Sequence, residues 1–241
     1  MQNKIAVLDS GVGGLVLLKR LQKLLPYHDF LYFADNINVP YGNKTNEQIE
    51  GFVSEIMQKI VLTKPKGVFV ACNTATSLCV QKLQKQYPSI VIDGILPDVT
   101  NLPKPCIVFC TNATANSKKI VGADKDTFVF PLDSCADMIE KGCSDEQLKT
   151  YLEQVFSGFN LYSFKSVFLG CTHYIHKKHV FESFGLPVFD NAGKTAQSFA
   201  NNFKTDGLNK KPKMKGKVTF FLSDGNESQY KKYLDFYAKL Q

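Results

Sequence analysis

Arginine is almost absent from this chain of 241 residues. Arg20 is the only arginine among 29 basic side chains, which give a net charge of +7 against 22 acidic ones. Sequence-specific binding of nucleic acid relies on the planar fork of arginine. The sequence therefore argues against a nucleic-acid partner. A small anionic ligand would have to be held by lysine, by hydroxyl and amide side chains, or by backbone N–H groups.

We expect neither a signal peptide nor a membrane span, and the sequence contains no C-x-x-C pair. The apolar run Ile5–Leu8 ends at Asp9, which is too short for a signal core, and no run approaches the roughly 20 residues of a membrane helix. The cysteines are Cys72, Cys79, Cys106, Cys110, Cys135, Cys143 and Cys171. Their odd number in a chain without a signal sequence predicts reduced thiols in the cytoplasm and no membrane association.

What the chain does contain is one pattern repeated four times: a short apolar run, a cluster of small polar residues, and a plausible helix. The four runs are Ile5–Leu8, Val68–Ala71, Ile107–Cys110 and Val167–Leu169. Fully apolar strands that alternate with helices are typical of parallel sheets covered on both faces. The sequence therefore predicts an α/β fold.

The four runs form two pairs with similar internal spacing, which indicates a duplicated α/β unit. Three prolines crowd the segment Leu96–Pro105 between the pairs. We expect two pseudo-symmetric α/β domains with mostly parallel sheets and an active site in the cleft between them. The first domain would comprise residues 1–96 and 206–241, and the second residues 97–205.

Several local signals refine this organisation. Thr45 is expected to cap a helix whose apolar stripe is Ile49, Phe52, Val53, Ile56, Met57 and Ile60. Residues Asn209–Lys217 are expected to form an exposed connector, and Val218–Leu222 a strand. A last helix is expected to bury Tyr230, Tyr233, Leu234 and Tyr237.

Two of the cysteines occupy matched places in the two halves. Cys72 is the first residue after a predicted strand and Cys171 the second, and each stands at the start of a predicted helix. In open α/β sheets, ligands bind at these strand ends. Because the helix dipole and free N–H groups there favour negative charge, we expect both thiolates to be stabilised.

Two thiols that face one ligand from opposite sides are suited to inverting a carbon centre. A proton must leave one face and another must arrive on the other face, so one acid/base group is needed on each side. Asp9 ends the first strand and His173 lies two residues after Cys171. Either side chain is therefore a candidate to direct the proton of a neighbouring thiol.

The same residues lie in four blocks that resemble the signature of bacterial glutamate racemase, in the aspartate/glutamate racemase superfamily. The blocks are residues 9–14 (DSGVGG), 39–42 (VPYG), 71–75 (ACNTA) and 169–174 (LGCTHY). They occur in the order and spacing of that family across nearly the whole chain. The resemblance implies racemisation of L- and D-glutamate, which supplies D-glutamate for peptidoglycan, without pyridoxal phosphate or a metal ion. It also implies a homodimer.

The resemblance also implies roles for individual residues. It assigns the two acid/base roles to Cys72 and Cys171, with Asp9 and His173 as their supporting groups. In the family, the first cysteine acts on the D-enantiomer and the second on the L-enantiomer. The residues implied to hold the substrate are Ser10, Tyr41, Gly42, Asn73, Thr74, Thr111, Thr114 and Thr172.

The chain departs from the family pattern at several places. It has Gly94–Asp98 (GILPD) where the family usually has Gly-Val-Ile-Glu-Pro, and Phe130–Cys135 (FPLDSC) where the family has Val-Pro-Leu-Val-Glu-Glu. Ile175 also replaces a common proline. The missing glutamates affect the expected outer substrate shell and dimer contacts, and they leave room for aspartate as the substrate.

Other readings of the motifs remain open at this point. A nucleotide-dependent oxidoreductase would use the glycines of the first loop, but Val16 stands where a third glycine is needed. A zinc site could draw on Cys171, His173, His176 and His179, although their spacing does not suit one helix face. A thiol hydrolase or a related decarboxylase would use only one of the two cysteines. A non-catalytic dicarboxylate-binding protein of this fold is a further alternative.

Overall fold

Strands and helices alternate along most of the chain. The structure is a computed structural model that describes residues 4–132, 134–204 and 214–240. The first elements are β1 (Lys4–Asp9), α1 (Leu15–Leu24), β2 (Asp29–Ala34), α2 (Asn46–Leu62), β3 (Gly67–Val70), α3 (Asn73–Gln86) and β4 (Val91–Gly94). There follow β5 (Cys106–Cys110), α4 (Asn112–Ser117), β6 (Thr127–Pro131), α5 (Cys135–Glu140), α6 (Asp145–Phe156), β7 (Ser166–Leu169), α7 (Thr172–Ile175), α8 (Lys178–Glu182) and β8 (Val188–Phe189). The last elements are α9 (Ala192–Lys204), β9 (Val218–Leu222) and α10 (Glu227–Lys239).

The strands of the described residues form two sheets in which every pairing is parallel. The orders are β4-β3-β1-β2-β9 in the first sheet and β6-β5-β7-β8 in the second. The predicted α/β class, with mostly parallel sheets in two units, is confirmed. In the same ranges, no helix is long and apolar enough to cross a membrane.

The chain returns to the first sheet through its last three elements. β9 pairs with β2, and Phe199 and Phe203 of α9 pack in the core of the first sheet. The return therefore begins at α9, whereas the sequence assigned residues up to 205 to the second unit. The domain boundaries themselves stay a prediction. Most of the expected connector, residues 209–213, lies outside the described residues.

Local sequence signals explain how the helices begin and which faces they bury. The Thr45 hydroxyl accepts a hydrogen bond from the Gln48 N–H, and the Gln48 side chain accepts one from the Thr45 N–H. This reciprocal cap starts α2 as predicted. Of its apolar stripe, Phe52 is partly buried and the rest is buried.

The predicted stripe of the last helix is wrong in two positions. Tyr233 is buried, but Tyr230 and Leu234 are 42% and 41% exposed. Tyr237 packs on the first core as predicted, and so does Phe236, which the predicted stripe omitted. Spacings of three and four residues place these side chains on the face of Tyr233, whereas Leu234 is turned about 100° away from it.

Two strands, β3 and β7, precede the cysteines, and each ends next to the last residues of the neighbouring central strand of its sheet. Leu8 of β1 pairs with Val70 of β3, and Phe109 of β5 pairs with Leu169 of β7. Cys72 comes two residues after β3, and Cys171 two residues after β7. The two sheets therefore carry their cysteines at equivalent places.

We expect Phe199→Ala to destabilise the protein by about 3–5 kcal/mol, because the substitution leaves a cavity into which the surrounding side chains relax only partly. The Phe199 ring is fully buried, with ring centroids 5.1 Å from Phe69 and 4.9 Å from Phe203. Urea unfolding measures the change. Phe128→Ala is the control, since that side chain is 50% exposed, and we expect a loss below about 1 kcal/mol. Equal losses in both variants would contradict this account of the core.

Candidate active site

The strand-end loops of the two sheets meet each other across the cleft. The Thr74 hydroxyl of α3 lies 2.8 Å from that of Thr111, which follows β5 in the other half. The Val12 N–H, in the loop after β1, donates to Glu140 Oε2 of α5 at 2.8 Å. The Val12 carbonyl accepts from His176 Nε2 at 2.9 Å. Hydrogen bonds therefore join the strand-end loops of the two halves.

Cys72 is the residue that caps α3, and its sulfur is buried. Sγ accepts the Ala75 N–H at 3.5 Å and the Ser10 hydroxyl at 3.8 Å. Burial raises the pKa of this thiol to about 12, and the negative charge of Asp9 adds to the rise. The expectation that the helix start would stabilise the thiolate is therefore not met. The Ala75 N–H lowers the pKa, but the loss of water at the sulfur outweighs it.

Asp9 ends β1 as a fully buried carboxylate. Oδ1 accepts the Gly11 N–H at 2.8 Å, whereas Oδ2 has no hydrogen-bond partner among the described residues. Burial raises the pKa of Asp9 to about 6, against the opposing charge of His173 and two backbone N–H donors. Asp9 thus changes its charge close to neutral pH, and one of its oxygens is available to a proton.

Cys171 is supported by a different kind of group. It caps α7, and Nδ1 of His173 lies 4.0 Å from its sulfur. The other ring nitrogen of His173 contacts Glu140 Oε2 at 2.8 Å. Burial alone would lower the pKa of the imidazole, but hydrogen bonds to Cys171 and Glu140 raise it well above its ordinary value. His173 is therefore held as an imidazolium beside the second sulfur.

Glu140 is a member of the site that sequence reasoning missed. It is the last residue of α5 and is 3% exposed. Burial raises the pKa of Glu140. This effect is outweighed by the hydrogen bond and charge of His173 and by the Lys232 ammonium, which lower the pKa to about 2. The only signal in the sequence was indirect: the family glutamates missing after Leu132 left a carboxylate unaccounted for.

The threonines expected to hold the substrate lie together. Thr74 Oγ1 is 3.2 Å from Thr114 Oγ1, and Thr111 Oγ1 is 3.1 Å from Thr114 Oγ1. With the 2.8 Å contact between Thr74 and Thr111, these three hydroxyls form a buried cluster between the halves. Gly42 lies against it, since a Cβ there would come within 2.6 Å of the Thr111 Cβ.

The remaining predicted binding residues differ in what their side chains do. Asn73 donates to the Ile95 carbonyl at 3.3 Å, and its buried Oδ1 has no partner within the described ranges. Tyr41 donates its hydroxyl to Asp35 at 2.7 Å, so that proton already has an acceptor. Thr172 is buried against the first glycine loop, where a Cβ on Gly13 would lie 2.7 Å from its Oγ1.

Arg20 lies outside this group of residues. Its guanidinium is 3.8 Å from Asp190, and its side chain is 39% exposed. Arginine therefore contributes no donor to this group of residues, and the expectation that the substrate carboxylates bind to hydroxyl, amide and backbone N–H groups stays a prediction.

The geometry also bears on the competing interpretations. The three histidines after Cys171 have separate partners: Glu140 for His173, the Val12 carbonyl for His176, and Asp145 for His179. In the first glycine loop, the N–H groups of Gly11 and Val12 donate to the carboxylates of Asp9 and Glu140. A loop occupied in this way does not suit a pyrophosphate, which would need those N–H groups.

Taken together, the two thiols have opposite surroundings. Cys72 is a neutral thiol in a hydroxyl- and carboxylate-lined position, and Cys171 lies beside a cation. Such a pair can accept a proton on one side of a ligand and donate one on the other.

No family model matches the chain, but curated proteins and solved structures do. A glutamate racemase from Clostridium botulinum (strain Alaska E43) is 31% identical over 238 residues, which cover 92% of each chain. Glutamate racemase 2 of Bacillus subtilis is 30% identical and covers 91% of this chain and 88% of its own. The crystal structure of the Thermus thermophilus glutamate racemase with β-chloro-D-alanine matches with a TM-score of 0.82 at 27% identity, over 100% of this chain and 95% of that one. The chain belongs to the glutamate racemase family.

Proposed function

We propose that this amino-acid racemase interconverts L- and D-glutamate by passing the α-proton through Cys72 and Cys171. The observation that carries the proposal is the pairing of the two thiols. They come from equivalent strand ends of the two halves, and each has its own ionisable support. A hydrolase or a decarboxylase would leave one of them without a role.

The groups around each thiol indicate which thiol acts first as the base and which acts first as the proton donor. His173 Nδ1 lies 4.0 Å from the Cys171 sulfur, and the pKa of that imidazole is raised well above its ordinary value, so we assign Cys171 the role of the first base. Cys72, with a pKa of about 12, begins as the proton donor. In this assignment Cys171 takes the α-proton of L-glutamate, and Cys72 protonates the opposite face.

The reverse direction requires Cys72 to lose its proton. Asp9 is the nearby acceptor, because its Oδ2 has no partner in the described chain and its pKa of about 6 leaves it ionised at neutral pH. The ammonium group of a bound amino acid adds a positive charge, which lowers the cost of forming a thiolate there. His173 then returns a proton to the Cys171 side.

The substrate carboxylates are proposed to bind to neutral donors. The hydroxyls of Thr74, Thr111 and Thr114, with Ser10, Asn73 and Thr172 nearer the thiols, offer O–H and N–H groups in a buried place. Hydrogen bonds to an ionised acceptor are about twice as strong as neutral ones. The reaction uses side chains of this chain alone, without a cofactor.

We infer a role in supplying D-glutamate for peptidoglycan, and hence in cell-wall biogenesis and cell shape, in the cytoplasm and as a homodimer. The support for these statements is the family itself and the resemblance of the four sequence blocks. Aspartate is the second candidate substrate, because the chain lacks family glutamates near Leu96 and Ser134.

The direct test is to incubate the purified protein with L-glutamate and, separately, with L-aspartate. We expect the circular dichroism of L-glutamate to decay to zero without any added cofactor. In deuterated water, proton NMR should show loss of the α-proton signal. Faster racemisation of aspartate would favour the second substrate. Binding of glutamate without any exchange would favour a binding protein, and release of ammonia or carbon dioxide would refute the racemase proposal.

Replacing either thiol by a hydroxyl should abolish inversion, because the serine hydroxyl is a far weaker acid than a thiol and is not ionised at neutral pH. We expect Cys72→Ser and Cys171→Ser each to lower the racemisation rate by at least about 100-fold. Cys171→Ser should still exchange the α-proton of D-glutamate through Cys72, and Cys72→Ser that of L-glutamate. Cys79→Ser, at a buried position seven residues further along within α3, is the control and should retain activity. Loss of exchange on the same enantiomer in both variants would contradict the two-face assignment.

The raised pKa of Asp9 predicts an acid limit on activity. We expect kcat/KM to fall about tenfold per pH unit below about 6, where Asp9 becomes protonated, and Asp9→Asn to have low activity without this limb. Since the pKa is higher than the ordinary 3.8, protonation of Asp9 favours the folded state as the pH falls through this window. Unfolding measured in parallel should therefore show that the chain is intact where activity is lost. A pH profile that is identical in Asp9→Asn would contradict the assignment.

A further inference from the structure

Glu140 is a junction between the two halves of the molecule. Its Oε2 accepts the Val12 N–H and contacts His173 Nε2, both at 2.8 Å, and its Oε1 accepts from Lys232 Nζ at 2.8 Å. Val12 and Lys232 belong to the half of the first sheet, whereas Glu140 and His173 belong to the other half. The carboxylate is therefore held from both sides of the cleft.

The Lys232 ammonium is itself held in place. It lies on α10, whose neighbouring Tyr233 is fully buried in the first core. Lys232 Nζ is 5.8 Å from the centroid of the Tyr233 ring and 3.5 Å from Gln229 Oε1. Its side chain is 28% exposed, and that of Glu140 is 4% exposed. The Lys232 ammonium therefore contacts the buried Glu140 carboxylate at the edge of the site, and the burial of Tyr233 holds its helix in place.

We propose that Lys232 is a positioning residue for proton transfer at Cys171: it fixes the Glu140 carboxylate that orients His173, and it thereby couples the docking of the C-terminal helix to the chemistry of the second thiol. This inference rests on the proposed racemase function. Lys232 touches neither thiol, and none of the sequence blocks of the family contains it.

The physical reason is that Glu140 needs a partner for each oxygen. A buried carboxylate oxygen that loses its donor either draws in water or rotates towards other donors. Since His173 is held by the other oxygen of the same group, rotation of the carboxylate would move the imidazolium away from the Cys171 sulfur. Small displacements of a proton-transfer partner have large effects on rate.

The other ionisable groups around Glu140 do not replace Lys232. Asp9 is a second carboxylate, and Tyr32 and Tyr233 are neutral phenols whose pKa values are raised by burial. His176, whose pKa burial lowers to about 4, is neutral and uses Nε2 on the Val12 carbonyl. Lys232 is therefore the cation that balances Glu140 from the first half.

The test compares Lys232→Met with Lys231→Met, a substitution at the neighbouring exposed position of α10. We expect Lys232→Met to lower kcat by at least about tenfold with KM changed less than about threefold, and Lys231→Met to match the wild type. Lys232→Arg keeps a cation and donors, so it should restore most of the rate. If Lys232→Met does not fold, Lys232→Gln is measured in the same way.

Kinetic isotope effects distinguish positioning from a general loss of structure. The two enantiomers have equal free energies in water, so kcat/KM must fall by the same factor in both directions. Slower transfer at Cys171 alone should raise the deuterium isotope effect on kcat/KM for α-deuterated L-glutamate and lower it for α-deuterated D-glutamate. Unchanged isotope effects, or a rate equal to that of the wild type, would overturn the role of Lys232. A wild-type protein that fails to racemise glutamate would instead refute the proposed function itself.

Discussion

The arrangement of this site depends on one buried carboxylate. An ionised group out of contact with water is stable only when opposite charges and hydrogen-bond donors surround it. Glu140 meets this condition by taking one donor from the first glycine loop, one from the C-terminal helix and one from His173. Breaking one partner from such a buried group typically costs about 3–5 kcal/mol. The same contacts that close the two halves on each other therefore fix the histidine beside the second thiol.

The backbone is nearly symmetric across the cleft, whereas the charges are not. Cys72 and Cys171 follow equivalent strands, but their ionisable supports come from different places. Asp9 stands at the end of β1, where the equivalent end of β5 is Cys110. His173 lies two residues after its cysteine, where the first half has Thr74. A reaction that inverts a carbon centre needs one acid and one base at any moment, and the proposed mechanism assigns these two roles to thiols at equivalent positions with unlike supports.

Local features of this fold could be predicted from the sequence, and contacts across the cleft could not. The Thr45 cap and the strand ends before Cys72 and Cys171 are encoded within a few residues. Glu140, by contrast, ends a short helix and meets partners 128, 33 and 92 positions away. From the sequence alone, a glutamate at the end of one helix and a lysine in the middle of another are expected to be solvated, because nothing local indicates that the fold pairs them. The Cys72 thiol shows a second limit, because a helix start and burial shift its pKa in opposite directions and only the structure shows which is larger.

The scarcity of arginine is consistent with the acid–base chemistry proposed for the site. Asp9 and Glu140 carry negative charge at neutral pH, and His173 and Lys232 carry positive charge, so the ionisable groups of the site nearly cancel. A guanidinium beside the thiols would bind a substrate carboxylate well, but it would also stabilise a thiolate and make it a weaker base. Neutral hydroxyl and N–H donors hold the same carboxylate with much less effect on the sulfur. A proton next to a carboxylate is difficult to remove, so a site of this kind gains more from a strong base than from a tighter anion contact.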